Sequence, residues 1–357
     1  MKTTTYIIYF VLLFLGSCIK PYNLDIPSME GLMIVDGLVT DFPGQTFVSL
    51  TRTADYTASS LNLTVQKALV TISDNLGQKT QLVEVGAGLY KPALTTWAGM
   101  AGRTYTLTVT TTDGKTYRSQ PDLLSAVPPI DTLYYSYNRK ATAGSDYVDK
   151  GFDVYIDTKD PATPDNYYRW SWQAFQRVLF CEIEVVRNRF SNNAETLIPH
   201  YCCTDCWDIN RCYSCVTTTS DKLINGQKIS RQPVLRAPFE SIAPYYVEIT
   251  QYSISKAAFD YWKTVKSLAQ NTGGIFDSAP ITLGGNVSNV NDPAERVFGF
   301  FGASGASTKA VLIDRSKTGD TPNLLPPPPP VPSMPPPCRT CVESIYRTGV
   351  KPRWWKD

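Results

Sequence analysis

The sequence lacks the features that would mark a nucleic-acid binder or an enzyme of a familiar kind. No long basic run occurs, and 34 Lys plus Arg stand against 32 Asp plus Glu. Balanced charge leaves no electrostatic footprint for nucleic acid. There is no Gly-x-Ser-x-Gly elbow and no His-Glu-x-x-His helix, so two common hydrolase signatures are missing. Histidine is nearly absent. His200 is the only one, and beside a cysteine cluster it reads as a surface imidazole rather than a ligand or catalytic base. The acids Glu182, Glu184, Asp205 and Asp208 do not have the spacing of a catalytic carboxylate pair. No apolar run approaches the roughly 20 residues of a transmembrane helix. The reading is a non-enzymatic protein with no cofactor and no metal.

What is present begins at the N-terminus. Met1 to Thr5 carries one charge, Lys2, and Tyr6 to Leu15 is an unbroken apolar run. Gly16, Ser17 and Cys18 follow. A charged start, a short apolar core and a small-residue exit describe a secretory signal peptide over residues 1–17. Leu15-Gly16-Ser17-Cys18 also resembles the lipobox of bacterial lipoproteins. That resemblance implies lipidation at Cys18 and cleavage before it, leaving residues 18–26 as a lipidated tether. Each buried CH₂ of an acyl chain contributes about 0.8 kcal/mol, so several chains on one residue hold without a spanning helix.

Nine cysteines occur. With Cys18 lipidated, Cys181, Cys202, Cys203, Cys206, Cys212, Cys215, Cys338 and Cys341 remain. An even set in an exported chain predicts disulfides. The connectivity is open, because eight cysteines allow on the order of a hundred pairings. The Cys203-x₂-Cys206 and Cys212-x₂-Cys215 spacing also fits zinc. The gap between the pairs is short for a zinc ribbon, and an oxidising compartment favours disulfides. A thioredoxin-like redox site needs a helix N-terminus, and this loop has no helical pattern.

Residues 27–125 read as an Ig-like β-sandwich. Leu32 to Val35 predicts a strand ending at Asp36-Gly37. Val48 and Leu50 share one face of the next, and Ala68, Val70 and Ile72 one side of a third. Tyr105, Leu107 and Val109 alternate with threonines, which is period two with one wet face. Asp113-Gly114 predicts a hairpin. Several short strands with turn signals between them fit a sandwich.

Residues 130–320 read as a second β-rich, sandwich-like domain with a Cys-rich insertion at 181–215. Tyr168, Trp170 and Trp172 share a strand face opposite Tyr167, Arg169, Ser171 and Gln173, and the aromatic stripe reads as core. Tyr245 to Ile254 predicts another strand. One helix follows, capped by Ser255, with Ala258, Trp262, Val265 and Ala269 at helical spacing, and Gly273-Gly274 ends it. Val297 to Ala303 and Ala310 to Asp314 read as two buried strands. Asp157, Asp160 and Asp165 read as solvated acids of a turn rather than a cation site.

Residues 321–357 form a Pro-rich strap and CxxC tail. Pro326 to Pro337 holds nine prolines, and polyproline II would carry that run over roughly 37 Å. Cys338 or Cys341 is expected in a disulfide, either locally or back to the 202–215 loop. Trp354 and Trp355 either tuck against the body or meet a partner.

Together these segments resemble a family of Bacteroidota outer-membrane lipoproteins of unknown function. The resemblance rests on the lipobox, LMIVDGLVTD with Pro43-Gly44, TISDNLGQ, GLYKP and AGMAGRTYTLTVTTTDGKTY. It also rests on SISKAAFDYW, NVSNVNDPAERVFGFFGA and CRTCVESIYRTGVKPRWW. It implies an Ig-like domain joined to a β-rich one, and genes often placed beside TonB-dependent transporters. The expected function is an accessory binding or scaffold subunit of TonB-dependent nutrient uptake, lipid-anchored in the outer membrane. The alternatives are a structural or adhesive surface protein and a surface-polymer hydrolase. Cell-surface exposure is favoured over the periplasmic face, although Ile19 to Leu24 lacks the acids that displayed relatives often carry.

Overall fold

A computed structural model describes residues 31–54, 63–141, 144, 147–180, 183–187, 195–199, 204–212, 215–270, 283–323, 341, 343–353 and 355. Among the described residues the chain is mainly β with one helix. The first strands are β1 (Met33–Thr40), β2 (Phe47–Arg52), β3 (Leu69–Asp74), β4 (Lys79–Gly86), β5 (Leu89–Pro92), β6 (Thr104–Thr110), β7 (Thr116–Ser119) and β8 (Asp122–Leu123). Next come β9 (Ile130–Ala141), β10 (Val148–Lys159), β11 (Tyr167–Phe180), β12 (Ile183–Arg187), β13 (Glu195–Pro199), β14 (Thr204–Arg211) and β15 (Thr217–Ser220). The last are β16 (Lys228–Pro238), β17 (Tyr245–Ile254), α1 (Lys256–Gln270), β18 (Val287–Asn289), β19 (Phe298–Ile313) and β20 (Arg347–Thr348).

The alternating pattern of the first half builds what it predicts. Val48 and Leu50, Val70 and Ile72, and Tyr105, Leu107 and Val109 are all buried in one core. The strands facing each other across it are sandwich-like, yet they form one hydrogen-bonded run in the order β18-β7-β6-β3-β4-β5-β2-β1-β19. A bulge between Glu84 and Gly86, where β4 pairs with β5, interrupts the register. Such bulges bend a strand and sharpen its twist, which suits a sheet that folds over on itself.

Two strands run longer than their turn signals suggest. Asp36-Gly37 does not end β1, which continues to Thr40 between β2 and β19. Gly37 serves a close approach instead, since a Cβ there would lie 2.8 Å from Phe301 Cδ2. The two expected strands Val297 to Ala303 and Ala310 to Asp314 are one 16-residue strand, β19. Its first part pairs in parallel with β1 and its second part antiparallel with β17. Gly299, at φ +93°, lies so close to β1 that a Cβ would overlap the Val35 carbonyl.

This strand also revises the domain division. Val287, Phe301 and Ala303 sit in the same core as β1 to β7. Residues 27–125 therefore do not complete their own core; the end of the second half does. The second core lies between the sheet β16-β10-β9 and the inner faces of β11 and β17. Tyr168 and Trp170 are buried there and Trp172 packs against it, so the aromatic stripe is core as expected. Asp160 is buried too, accepting from the Tyr168 hydroxyl at 2.5 Å and from Gly226 N at 2.9 Å. Asp157 pairs with Lys228 at 2.8 Å. Neither is a free turn acid.

The Cys-rich insertion is less of a loop than expected. Ile183–Arg187 and Glu195–Pro199 pair as a hairpin, and Thr204–Arg211 extends the main sheet by pairing with β11. Cys206, Trp207 and Ile209 are buried on that strand, which explains why it leaves the loop state. Ser255 caps α1 as expected, its Oγ accepting from Ala258 N at 3.2 Å. Ala258 is buried and Trp262 packs with it, but Val265 is half-buried and Ala269 exposed. Gly273 and Gly274 lie outside the described residues.

Candidate functional site

β19 passes the sheet from β1 to β17, and a cleft occupies the corner this makes. Strand periodicity decides which side chains enter it. On β1, Met33, Val35 and Val39 fill the first core, so Asp36 and Leu38 face the other way. On β11, the face opposite Tyr168 and Trp170 brings Arg169 and Ser171. Tyr252 lies directly across from Arg169 on β17. Phe300 lies across from Asp36 on β19. Ala258 and Trp262 of α1 close the side.

The inner cavity measures about 210 Å³ and an outer one about 610 Å³. They share Asp36, Phe47, Ser171, Cys212 and Tyr252 and form one cleft. Gln45, Ser49, Lys91, Gln173, Arg211, Glu248 and Thr250 continue the outer walls. Phe47, Trp172, Tyr252, Trp262 and Phe300 give the cleft aromatic walls among its polar groups, and apolar walls with placed polar groups are the usual makeup of a small-molecule site.

The charges in the cleft are unusual. Arg169 stacks on Trp262 with its guanidinium 3.8 Å from the ring centroid. Its Nε is buried and has no hydrogen-bond partner. No ion pair or hydrogen bond of the Asp36 carboxylate occurs among the described residues. Asp36 keeps accessible surface because it faces the cavity, while protein surrounds that cavity on most sides. Lost hydration therefore raises its carboxyl above the ordinary range, and Arg169 offsets part of the rise. Burial likewise lowers the Arg169 guanidinium, which remains charged. Burial raises the Tyr252 phenol, and burial with the nearby Asp36 pushes Tyr261 up to about 12. Both phenols are thus protonated hydrogen-bond donors at neutral pH. In the outer cavity Glu248 is already engaged, by Arg353 at 2.6 Å and by Gln173 at 3.2 Å.

A family described as Domain of unknown function (DUF4249) matches residues 19–310. The chain belongs to this family. No curated protein matches it. Among solved structures, "Crystal structure of trypsin activated alpha-2-macroglobulin from Escherichia coli" aligns at 14% identity and a TM-score of 0.19. That alignment covers 66% of this DUF4249 chain and 15% of the macroglobulin.

The residues singled out in the sequence fall in several places. Cys206 and Cys341 form a disulfide with Cα atoms 5.7 Å apart, linking the tail to β14. Cys212 and Cys215 pair locally at the rim of the cleft. The tail is therefore tied back to the 202–215 segment, one of the two expected arrangements. Cys18, Cys181, Cys202, Cys203, Cys338, His200, Glu182 and Trp354 lie outside the described residues. Trp355 is tucked against the body, edge-on to Trp207 at 6.0 Å and beside Tyr246 at 6.3 Å. Asp205 pairs with Arg177 at 2.7 Å and Asp208 with Arg347. Among the described residues no three His, Cys, Asp or Glu gather as metal ligands, and no helix is long and apolar enough to cross a membrane.

Sequence reasoning missed Asp36, because Asp-Gly reads as a turn. The available signal was a lone carboxylate in the apolar run Leu32 to Val39. Arg169 was on the correct face of its strand, but its opposite number was not in view.

Proposed function

We propose that this DUF4249 protein is a non-catalytic binding lipoprotein, anchored in the outer membrane at Cys18, that serves a TonB-dependent nutrient transporter. The observation that carries the reading is the preformed cleft at the β19 corner. It holds unpaired Asp36 and Arg169 among aromatic walls. Two unpaired charges facing one cavity are costly for a fold, and sites that sacrifice stability in this way are usually functional. The lipobox-like Leu15 to Cys18 and the family resemblance support the anchor and the transporter. Cell-surface exposure is the favoured side.

The test is isolation of the full-length protein from outer membranes in mild detergent. A stoichiometric β-barrel transporter and a diacylglycerol-modified Cys18 by mass spectrometry are the expected results. Ser171→Trp, which fills the space shared by both cavities, should leave the partner bound and reduce uptake. Turnover of a glycan or peptide by the pure protein would replace the reading with a hydrolase. Absence of both partner and turnover would favour an adhesive role.

A further inference from the structure

The cleft also indicates what it takes. Asp36 lines both parts of the cleft, Arg169 the inner part alone, and Lys91 and Arg211 the outer part alone. The inner cavity holds one carboxylate, Asp36, facing one guanidinium, Arg169. The outer cavity adds two cations, Lys91 and Arg211, for which no ion pair occurs among the described residues. The outer carboxylate, Glu248, is neutralised by Arg353. Gln45 lines the outer cavity, its amide nitrogen donating to Thr308 Oγ1 at 3.3 Å and its Oε1 buried without a donor.

A ligand complementary to this pattern needs a cationic end for Asp36 and acceptor oxygens for the Arg169 fork. It needs an anionic end for Lys91 and Arg211. We infer that the cleft binds a short peptide by its free amino terminus, with the ammonium on Asp36, the first carbonyl on Arg169 and the carboxylate end toward Lys91 and Arg211. This inference rests on the binding reading above. A neutral glycan would desolvate these charges without pairing them, which is the costly outcome for buried ions. A free amino acid would fill the inner cavity but leave the outer cations unmatched. The aromatic walls formed by Tyr252, Trp262 and Phe300 take the first side chain.

The experiment is titration calorimetry on the mature chain with trialanine, trileucine and triphenylalanine, each free, N-acetylated or C-amidated. At least one free tripeptide should bind. N-acetylation should weaken it roughly ten- to a hundred-fold, the range of a lost charge-assisted contact. Asp36→Asn should weaken the free peptide by a similar factor and leave the acetylated one unchanged, since both remove the same contact. The urea midpoint of Asp36→Asn without peptide should stay level or rise, because a carboxylate with no ion pair, facing the cleft, has gone. Equal binding of acetylated and free peptides, no binding of any free tripeptide, or a lowered midpoint would overturn the inference. Binding of maltotriose, abolished by Ser171→Trp, would overturn the peptide class and keep the cleft as a binding site. No binding of any probe, with uptake unaffected by Ser171→Trp, would remove both.

Discussion

The Cys206–Cys341 bridge should be the largest single contributor to stability outside the cores. It joins residues 135 apart in sequence. In the chain-entropy picture, closing a loop of that length in the unfolded chain is worth about 5 kcal/mol. Cys341→Ser is the cleaner perturbation, because Cys206 is fully buried and a buried free thiol packs as a small apolar group. The bridge is not the tail's only attachment. β20 pairs with β14, Arg353 reaches Glu248, and Trp355 packs on Trp207. These contacts keep the native tail docked, so the loss appears mainly as added freedom in the unfolded state. With an m-value near 3 kcal/mol/M, urea unfolding of Cys341→Ser should shift down by roughly 1.5 M. Wild-type protein in excess dithiothreitol should approach the same midpoint. Equal midpoints for both proteins without reductant would refute the reasoning, as would free thiols at Cys206 and Cys341 in peptide maps of native protein.

Gly37→Ala should destabilise the fold by about 1–3 kcal/mol through overpacking, because the new methyl meets Phe301 at 2.8 Å and Val48 at 3.4 Å; an unchanged urea midpoint would contradict the close approach. Trp355→Ala should remove two aromatic contacts of about 0.5–1.5 kcal/mol each beyond their buried area, and limited proteolysis should then release the tail sooner than in wild type. At alkaline pH the phenol of Tyr137 is pushed up to about 12, by burial and then by its bond to Asp320. The stabilisation tied to it is complete below the ordinary tyrosine range near about 10. It is lost as pH rises toward the folded value. Ultraviolet difference spectra should show ordinary tyrosines ionising first and a further group only with unfolding; one step near the ordinary value would count against the buried set.

The strands with the clearest alternation were legible. Val48/Leu50, Val70/Ile72 and Tyr105/Leu107/Val109 alternate with polar residues, and each set is buried as its period requires. Tyr168 and Trp170 were legible as core for the same reason. What failed was long-range. Turn chemistry at Asp36-Gly37 is a local signal, whereas the strand continues because β2 and β19 pair on both sides. The span from Gly302 to Ser307 is small-residue rich and has no local strand signal, yet partners from distant parts of the chain hold it extended. The cleft suffered most. Asp36 and Arg169 are separated by the whole first half in sequence and meet only through that corner. The Cys206–Cys341 pairing was one of many combinations, and only the fold of the tail selects it.

The shared strand also sets the order in which the molecule can assemble. Met33 to Val109 leave the ribosome early, but the parallel neighbour of β1 is among the last strands made. The early half therefore has an open edge until nearly the entire polypeptide is available. Contacts of such sequence separation slow folding and leave apolar surface exposed in the interim. The part made first thus completes its core only when the last strands arrive.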